Sequence, residues 1–214
     1  MTVKINEYEL TCNCQYKLYD VILDDEIVIE TTVTHDPAIV SSWINKTEIL
    51  NESRLHRLIV GLDIEWRPNF TAGQNNPAAT IQLCVGKSCL IYQIIHSANI
   101  PRRLRQFLQK ENYEFVGVGI ESDVNKLNHD YGLLVSKKVD LRNWAAAELE
   151  KKELLTAGLK DLVKKIVGIE IVKPKSVTMS AWDQRRLSPK QICYACLDAY
   201  LSFEIGRILS SWYD

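Results

Sequence analysis

Ile59-Val60-Gly61-Leu62-Asp63-Ile64-Glu65-Trp66 is an apolar run that ends in two acids. Taken as a strand, it puts side chains at i and i+2 on one face, so Asp63 and Glu65 project together. An ionised carboxylate at the end of buried structure is costly unless something compensates its charge. The stretch by itself leaves two readings open: a strand end reaching solvent, or one wall of a site.

Two further stretches repeat the pattern. Phe115-Val116-Gly117-Val118-Gly119-Ile120-Glu121-Ser122-Asp123 is a second apolar run leading to an acid, 60 positions after Asp63. Asp123 falls at the start of a helix, where an acid also suits the macrodipole. Tyr194-Ala195-Cys196-Leu197-Asp198 lies 75 positions further on. Ser188-Pro189-Lys190-Gln191 starts that last helix with an N-cap, a proline at position one and a capping-box glutamine. The helix is expected to run to about Trp212, with Tyr194 and Asp198 one turn apart on one face. Two like charges about 4 Å apart, at an effective dielectric near 20, repel by about 4 kcal/mol. Four carboxylates that met would therefore take up protons or bind divalent cations. All-oxygen donors favour Mg²⁺ or Mn²⁺ over zinc. Two such ions clamp a phosphate and activate a water.

Outward from these runs the elements follow. Tyr16 to Leu23 and Ile27 to Thr34 are rich in β-branched and aromatic residues and predict a hairpin around Asp24-Asp25-Glu26. Asp36-Pro37 starts a short helix with Ile39, Val40, Trp43 and Ile44 on its apolar face, and residues 46–56 are expected to be a polar connection. Strands are expected at Leu58–Trp66, Ala79–Val85, Ser88–Ile95, Glu114–Gly119 and Val139–Leu141. Helices are expected from Pro101 to Gln109, Ser122 to Tyr131, Arg142 to Lys152 and Leu159 to Val167. Three strands followed by alternating helix and strand imply an α/β fold, a mixed sheet flanked by helices. The 214 residues form one domain, with residues 1–50 as an N-terminal hairpin and helix extending the sheet and residues 54–212 as the core.

The chain is 46% hydrophobic and 25% charged, with a net charge of −1. That balance excludes bulk non-specific nucleic-acid binding and fits an ordinary globular protein. No apolar run reaches membrane-spanning length and no signal peptide is evident, so no membrane partner and a cytosolic or nuclear address are expected. Six cysteines (Cys12, Cys14, Cys84, Cys89, Cys193, Cys196) are expected as free thiols. Cys193 and Cys196 are small core residues rather than zinc ligands, because no second pair stands at zinc-ribbon spacing. Charge is uneven: residues 158–190 hold eight Lys or Arg against three acids. Lys173, Lys175, Arg185 and Arg186 surround a loop where they could guide a phosphate backbone; a solvated surface is the alternative. Trp66 either lines a nucleotide pocket or packs on the sheet edge. His35, His56, His96 and His129 lie outside the motifs and read as surface or locally bonded.

The three stretches, with Lys175-Ser176-Val177-Thr178-Met179-Ser180-Ala181-Trp182, closely resemble the DEDD (DnaQ-like) 3′→5′ exonucleases of the Werner syndrome-like branch. The resemblance covers residues 54–212 and implies a ribonuclease H-like fold. Some relatives carry a histidine five residues before the last acid; here that position is Cys193, while Tyr194 is present, so the chain resembles the tyrosine subtype. The resemblance implies that Asp63, Glu65 and Asp198 hold the ion that activates the attacking water. It also implies that Asp63 reaches a second Mg²⁺ or Mn²⁺, with Asp123 acting directly or through water. Tyr194 would orient the nucleophile. From position and charge alone, Trp66, Lys175, Arg185 and Arg186 are candidate substrate contacts, with edge packing for Trp66 and plain surface charge for the three cations as the alternatives. Val33-Thr34-His35-Asp36-Pro37 and Ala38 to Ile44 look like small plant members such as the RISC-interacting clearing exoribonucleases. That likeness implies single-stranded RNA as substrate, in preference to DNA, and an Argonaute (RISC) association. A homo-oligomer is allowed. A Werner-like DNA exonuclease in repair, a non-catalytic nucleic-acid binding module and a structural partner protein are the competing readings.

Overall fold

The computed structural model describes residues 2–9, 15–71, 73–172 and 174–211. The hairpin forms as its sequence predicts: β1 is Val3–Glu7, β2 Tyr16–Leu23 and β3 Ile27–Thr34. Asp24 and Asp25 both take positive φ, 47° and 61°. This is the primed turn whose twist matches the flanking strands. β1 was not expected. It pairs antiparallel with β2 and is tied down where the Thr2 amide donates to Asp24 Oδ1 at 2.6 Å.

Helix α1, Pro37–Leu50, has the expected cap: the Ala38 amide donates to Asp36 Oδ1 at 2.6 Å. It runs further than expected, and a 3₁₀ turn over Glu52–Arg57 replaces the polar connection. Its last turns hold because Thr47 is buried and Glu48 accepts a hydrogen bond from the Tyr113 hydroxyl at 2.9 Å. β4 (Leu58–Trp66), β5 (Ala78–Val85) and β6 (Ser88–Tyr92) follow, β6 ending three residues before the sequence suggests. Then come α2 (Arg102–Leu108), β7 (Tyr113–Gly117), α3 (Ile120–Tyr131), β8 (Lys138–Asp140) and α4 (Leu141–Glu148). The expected helix over 159–167 is α5 (Leu159–Leu162) followed by a wider turn through Val163–Val167. Short α6, Lys175–Thr178, was not expected. α7, Pro189–Ser210, has the capping box of Ser188 and Gln191; Trp212 lies outside the described residues, as do Cys12, Cys14 and Lys173.

The eight strands form one mixed sheet in the order β1-β2-β3-β6-β5-β4-β7-β8. β3 and β6, β4 and β7, and β7 and β8 pair in parallel; the other neighbours are antiparallel. β3, β6, β4 and β7 therefore end at the same edge, where their loops collect. α7 lies directly on β4. A Cβ at Gly61 would sit 2.0 Å from the Ala199 carbonyl oxygen and 2.8 Å from the Phe203 nitrogen, so only a glycine admits this approach. At Gly206 the sheet returns the contact, with Val116 and Ile59 methyls 3.1 and 3.2 Å from a Cβ position. No helix of the described residues is long and apolar enough to cross a membrane.

Candidate active site

The glycine contact fixes the site. Gly61, Asp63 and Glu65 alternate onto the face of β4 that α7 covers. Asp198, one residue before the carbonyl that touches Gly61, is carried to the same place. Asp63, Glu65 and Asp198 each offer a carboxylate oxygen within 4.8 Å of the others. Glu65 is 9% exposed and Asp198 6%, and Asp63 Oδ2 is shielded from solvent.

Asp123 stands in the first turn of α3, outside this close set. Burial, and next the Asp198 carboxylate, push its carboxyl up to about 7. Of the four acids expected to meet, the structure gathers Asp63, Glu65 and Asp198, and leaves Asp123 outside that set but near enough to feel the Asp198 charge. Gathered, partly enclosed, all-oxygen donors with one carboxyl driven toward its protonated form are a donor set that suits a divalent cation.

Tyr194 shares α7's inward face with Asp198. Both line a cleft of about 370 Å³ whose other walls include Val3, Ile171 and Val177. The Thr178 hydroxyl donates to the Tyr194 hydroxyl at 3.1 Å, and the Trp182 ring stands 6.0 Å away at 57°. The segment from Lys175 to Trp182 works as an anchor for this tyrosine. Trp182 is fully buried, its indole donates to the Thr178 carbonyl at 3.3 Å, and Gln191 at the head of α7 donates to Ser180 Oγ at 3.0 Å. Lys175 is exposed on α6.

Trp66 is half-buried against the core, and the Lys126 ammonium lies 5.2 Å over its ring, so one face is already covered. Arg185 and Arg186 are exposed and line a separate cavity at the end of β3. Cys196 is buried and accepts a hydrogen bond from the Thr31 hydroxyl at 3.2 Å; the four described cysteines are free thiols.

Two residues escaped the sequence reading. Gln82 and Thr80 stand directly opposite Asp63 and Glu65 on β5. Both are fully buried, and Gln82 Nε2 donates to Thr80 Oγ1 at 2.7 Å. Cross-strand partners share a face, so this polar pair floors the acid cluster. The signal was present: Gln82 is an amide in a strand buried at every position.

A sequence model of a 3′-5′ exonuclease family matches residues 32–212. An Arabidopsis thaliana 3′-5′ exonuclease is 36% identical over 159 residues, covering 72% of this chain and 54% of the relative. The Mus musculus bifunctional 3′-5′ exonuclease/ATP-dependent helicase WRN is 34% identical over 157 residues, covering 73% of this chain and 11% of that protein. The chain thus spans about half of the plant relative and a small part of the mouse one. Among solved structures, Escherichia coli RNase D, an exoribonuclease involved in structured RNA processing, superposes with a TM-score of 0.67 at 18% identity, over 84% of this chain and 44% of that one. The Aedes aegypti Nibbler EXO domain superposes with a TM-score of 0.64 at 18% identity, over 84% and 86%. These structural likenesses concern the fold, a mixed sheet with flanking helices of the ribonuclease H-like, DnaQ type.

Proposed function

This chain belongs to the 3′-5′ exonuclease family, and from that premise we propose that it hydrolyses single-stranded nucleic acid from the 3′ end to nucleoside 5′-monophosphates, with RNA preferred. The observation that supports the reading most is the convergence of Asp63, Glu65 and Asp198 oxygens within 4.8 Å. These three, with Asp123 alongside, would hold Mg²⁺ or Mn²⁺. Divalent cations bound there supply neutralising charge for the phosphate oxygens and acidify water.

The chain's own residues do the rest. Tyr194, fixed by Thr178 and with the Trp182 ring tilted against it, lines the same cleft as Asp198 and orients the attacking water. Gln82 and Thr80 keep the floor of the acid cluster rigid, so little reorganisation is needed as charge develops. The preference for RNA and a role in a small-RNA pathway beside an Argonaute rest on the likeness of residues 33–44 to small plant members; a cytosolic or nuclear place of work rests on the composition of the sequence.

The test is a 5′-labelled single-stranded RNA and a DNA of the same sequence, incubated with Mg²⁺ or Mn²⁺ and then with chelator. A ladder that shortens from the 3′ end, faster on RNA and abolished by chelator, is expected. A faster DNA ladder would overturn the RNA preference. The absence of any ladder would favour a binding module.

A further inference from the structure

Arg185 and Arg186 sit too far along the sheet edge to serve the acid cluster directly. β4, β5, β6 and β3 are successive neighbours, so the end of β3 lies three strand spacings, about 14 Å, from the end of β4. The loop before α7 lies between the two, and Asp183 to Arg185 tie it to both sides. At one end Arg67, next to Trp66, pairs with Asp183 at 2.8 Å. At the other, buried Gln93 donates from Nε2 to the carbonyls of Gln184 and Arg185, at 3.0 and 3.2 Å. The loop is therefore a fixed strap along the edge, not a free excursion.

Beyond the strap lies a cavity of about 260 Å³ lined by Tyr16, Tyr19, His35, Gln93, Arg185 and Arg186, among others. Among the described residues no Asp or Glu lines it, and Glu7 bonds to two of its lining residues, Lys17 and Tyr19. Lys17 on its rim is occupied by Glu7. Asp36 beside His35 is engaged as the cap of α1. The two arginines are exposed and, among the described residues, make no side-chain hydrogen bond or ion pair. By contrast Arg67, Arg103, Arg142 and Arg207 each engage an acid, and Arg105 donates to two carbonyls.

We propose that this cavity is an upstream subsite, in which the substrate strand several nucleotides before its 3′ end lays its phosphates on Arg185 and Arg186 and stacks one base on Tyr16. The proposal rests on the exonuclease reading of the acid cluster and extends it from the terminal nucleotide to the strand behind it. Guanidinium groups suit phosphate oxygens, and an aromatic face holds any base without regard to sequence. The cavity lies just below the usual range of about 300–1,000 Å³ for ligand pockets, which suits one nucleotide rather than a duplex. A strand reaching both places would run along the strap.

The experiment is a length series of 5′-labelled single strands, from two to twelve nucleotides. KM is measured with Mg²⁺ or Mn²⁺, and Kd by fluorescence polarisation with chelator. In the unmodified protein both constants fall about tenfold once the strand is long enough to reach the cavity. In the Arg185→Ala, Arg186→Ala double variant that gain is lost, and the slope of log affinity against log salt shrinks by about 0.7 for each arginine. Tyr16→Ala loses the gain but keeps the slope. The Arg185→Lys, Arg186→Lys variant recovers the slope. Constants that do not change with length, or a double variant that keeps both gain and slope, would overturn the subsite while cleavage of short strands still upheld the nuclease. An arginine-dependent length gain in Kd with no cleavage at any length would uphold the subsite and sink the nuclease.

Discussion

Helix α3 carries one acid near each end, and the two are held in opposite electrical conditions. Asp130, in the last turn, has a side chain only 4% exposed. Burial alone would raise it, but His129, the Ala78 amide and Lys126 outweigh that and hold it below the ordinary carboxylate range. Lys126 stands 3.1 Å away and the Ala78 amide 2.8 Å. Asp123, in the first turn, is driven the other way, by burial first and the Asp198 carboxylate second. Where an acid only ties α3 to β5, the chain supplies the cation. Where acids gather on β4, α3 and α7, the chain supplies another acid, and the balancing charge is left to come from outside.

The largest effect belongs to the gathered acids. Asp63→Asn removes one donor from the three-oxygen set and should lower turnover by at least a factor of about a thousand, with an unchanged circular dichroism spectrum. A variant cleaving at nearly the parent rate would make this acid as structural as Asp130 and erase the distinction. Asp130→Asn is the converse. It leaves the Lys126 ammonium, 14% exposed at its side chain, without its charged partner, and should cost about 3 kcal/mol in urea denaturation. Turnover should stay within a few-fold of the parent. A collapse of activity at unchanged stability would move Asp130 to the functional side.

How much of this contrast was legible beforehand follows from where the physics is local. The i, i+2 spacing on β4 and the i, i+4 spacing on α7 put Asp63 with Glu65 and Tyr194 with Asp198 before any coordinates. The capping box at Ser188 and the turn at Asp24-Asp25 were equally local and formed as expected. What brings Asp198 to Asp63 is not local. It is the close approach at Gly61, where a Cβ would meet the Ala199 carbonyl oxygen at 2.0 Å, between residues 138 positions apart. Gln82 was missed because a single amide in an apolar strand has no period to reveal its face; the register with Asp63 does that. β1 was missed because Val3–Glu7 is short, buries no residue fully, and gains its place from pairing with β2. Lys126, which helps hold Asp130 down and covers Trp66, was legible as a helical lysine and nothing more, since Trp66 and the Asn76 carbonyl, its partners beyond Asp130, lie outside α3.

The smallest effect is also the one that tests the contrast on α3 itself. Asp123 has a folded-state pKa raised from 3.8 to about 7. Between those values the folded protein keeps a proton that the unfolded chain has lost, so the carboxyl's contribution is complete below about pH 4 and disappears as pH rises through about 7. In chelator, the thermal midpoint of the parent should therefore fall between pH 5 and pH 8. Each kcal/mol lost is worth about 2–4 °C in a chain of this size. Asp123→Asn carries no ionisable group there and should show no such fall, so the variant becomes the more stable of the two near pH 8. Mg²⁺ at pH 8 should bring the parent back up, because a bound cation takes the place of the missing proton. Asp130 has the opposite sign: its lowered pKa gives stability that is present above the ordinary carboxylate range and lost in acid, and Asp130→Asn should flatten the acid limb instead. Equal pH slopes in the parent and in Asp123→Asn would assign the shared proton to another member of the cluster, and the two ends of α3 would no longer differ in kind.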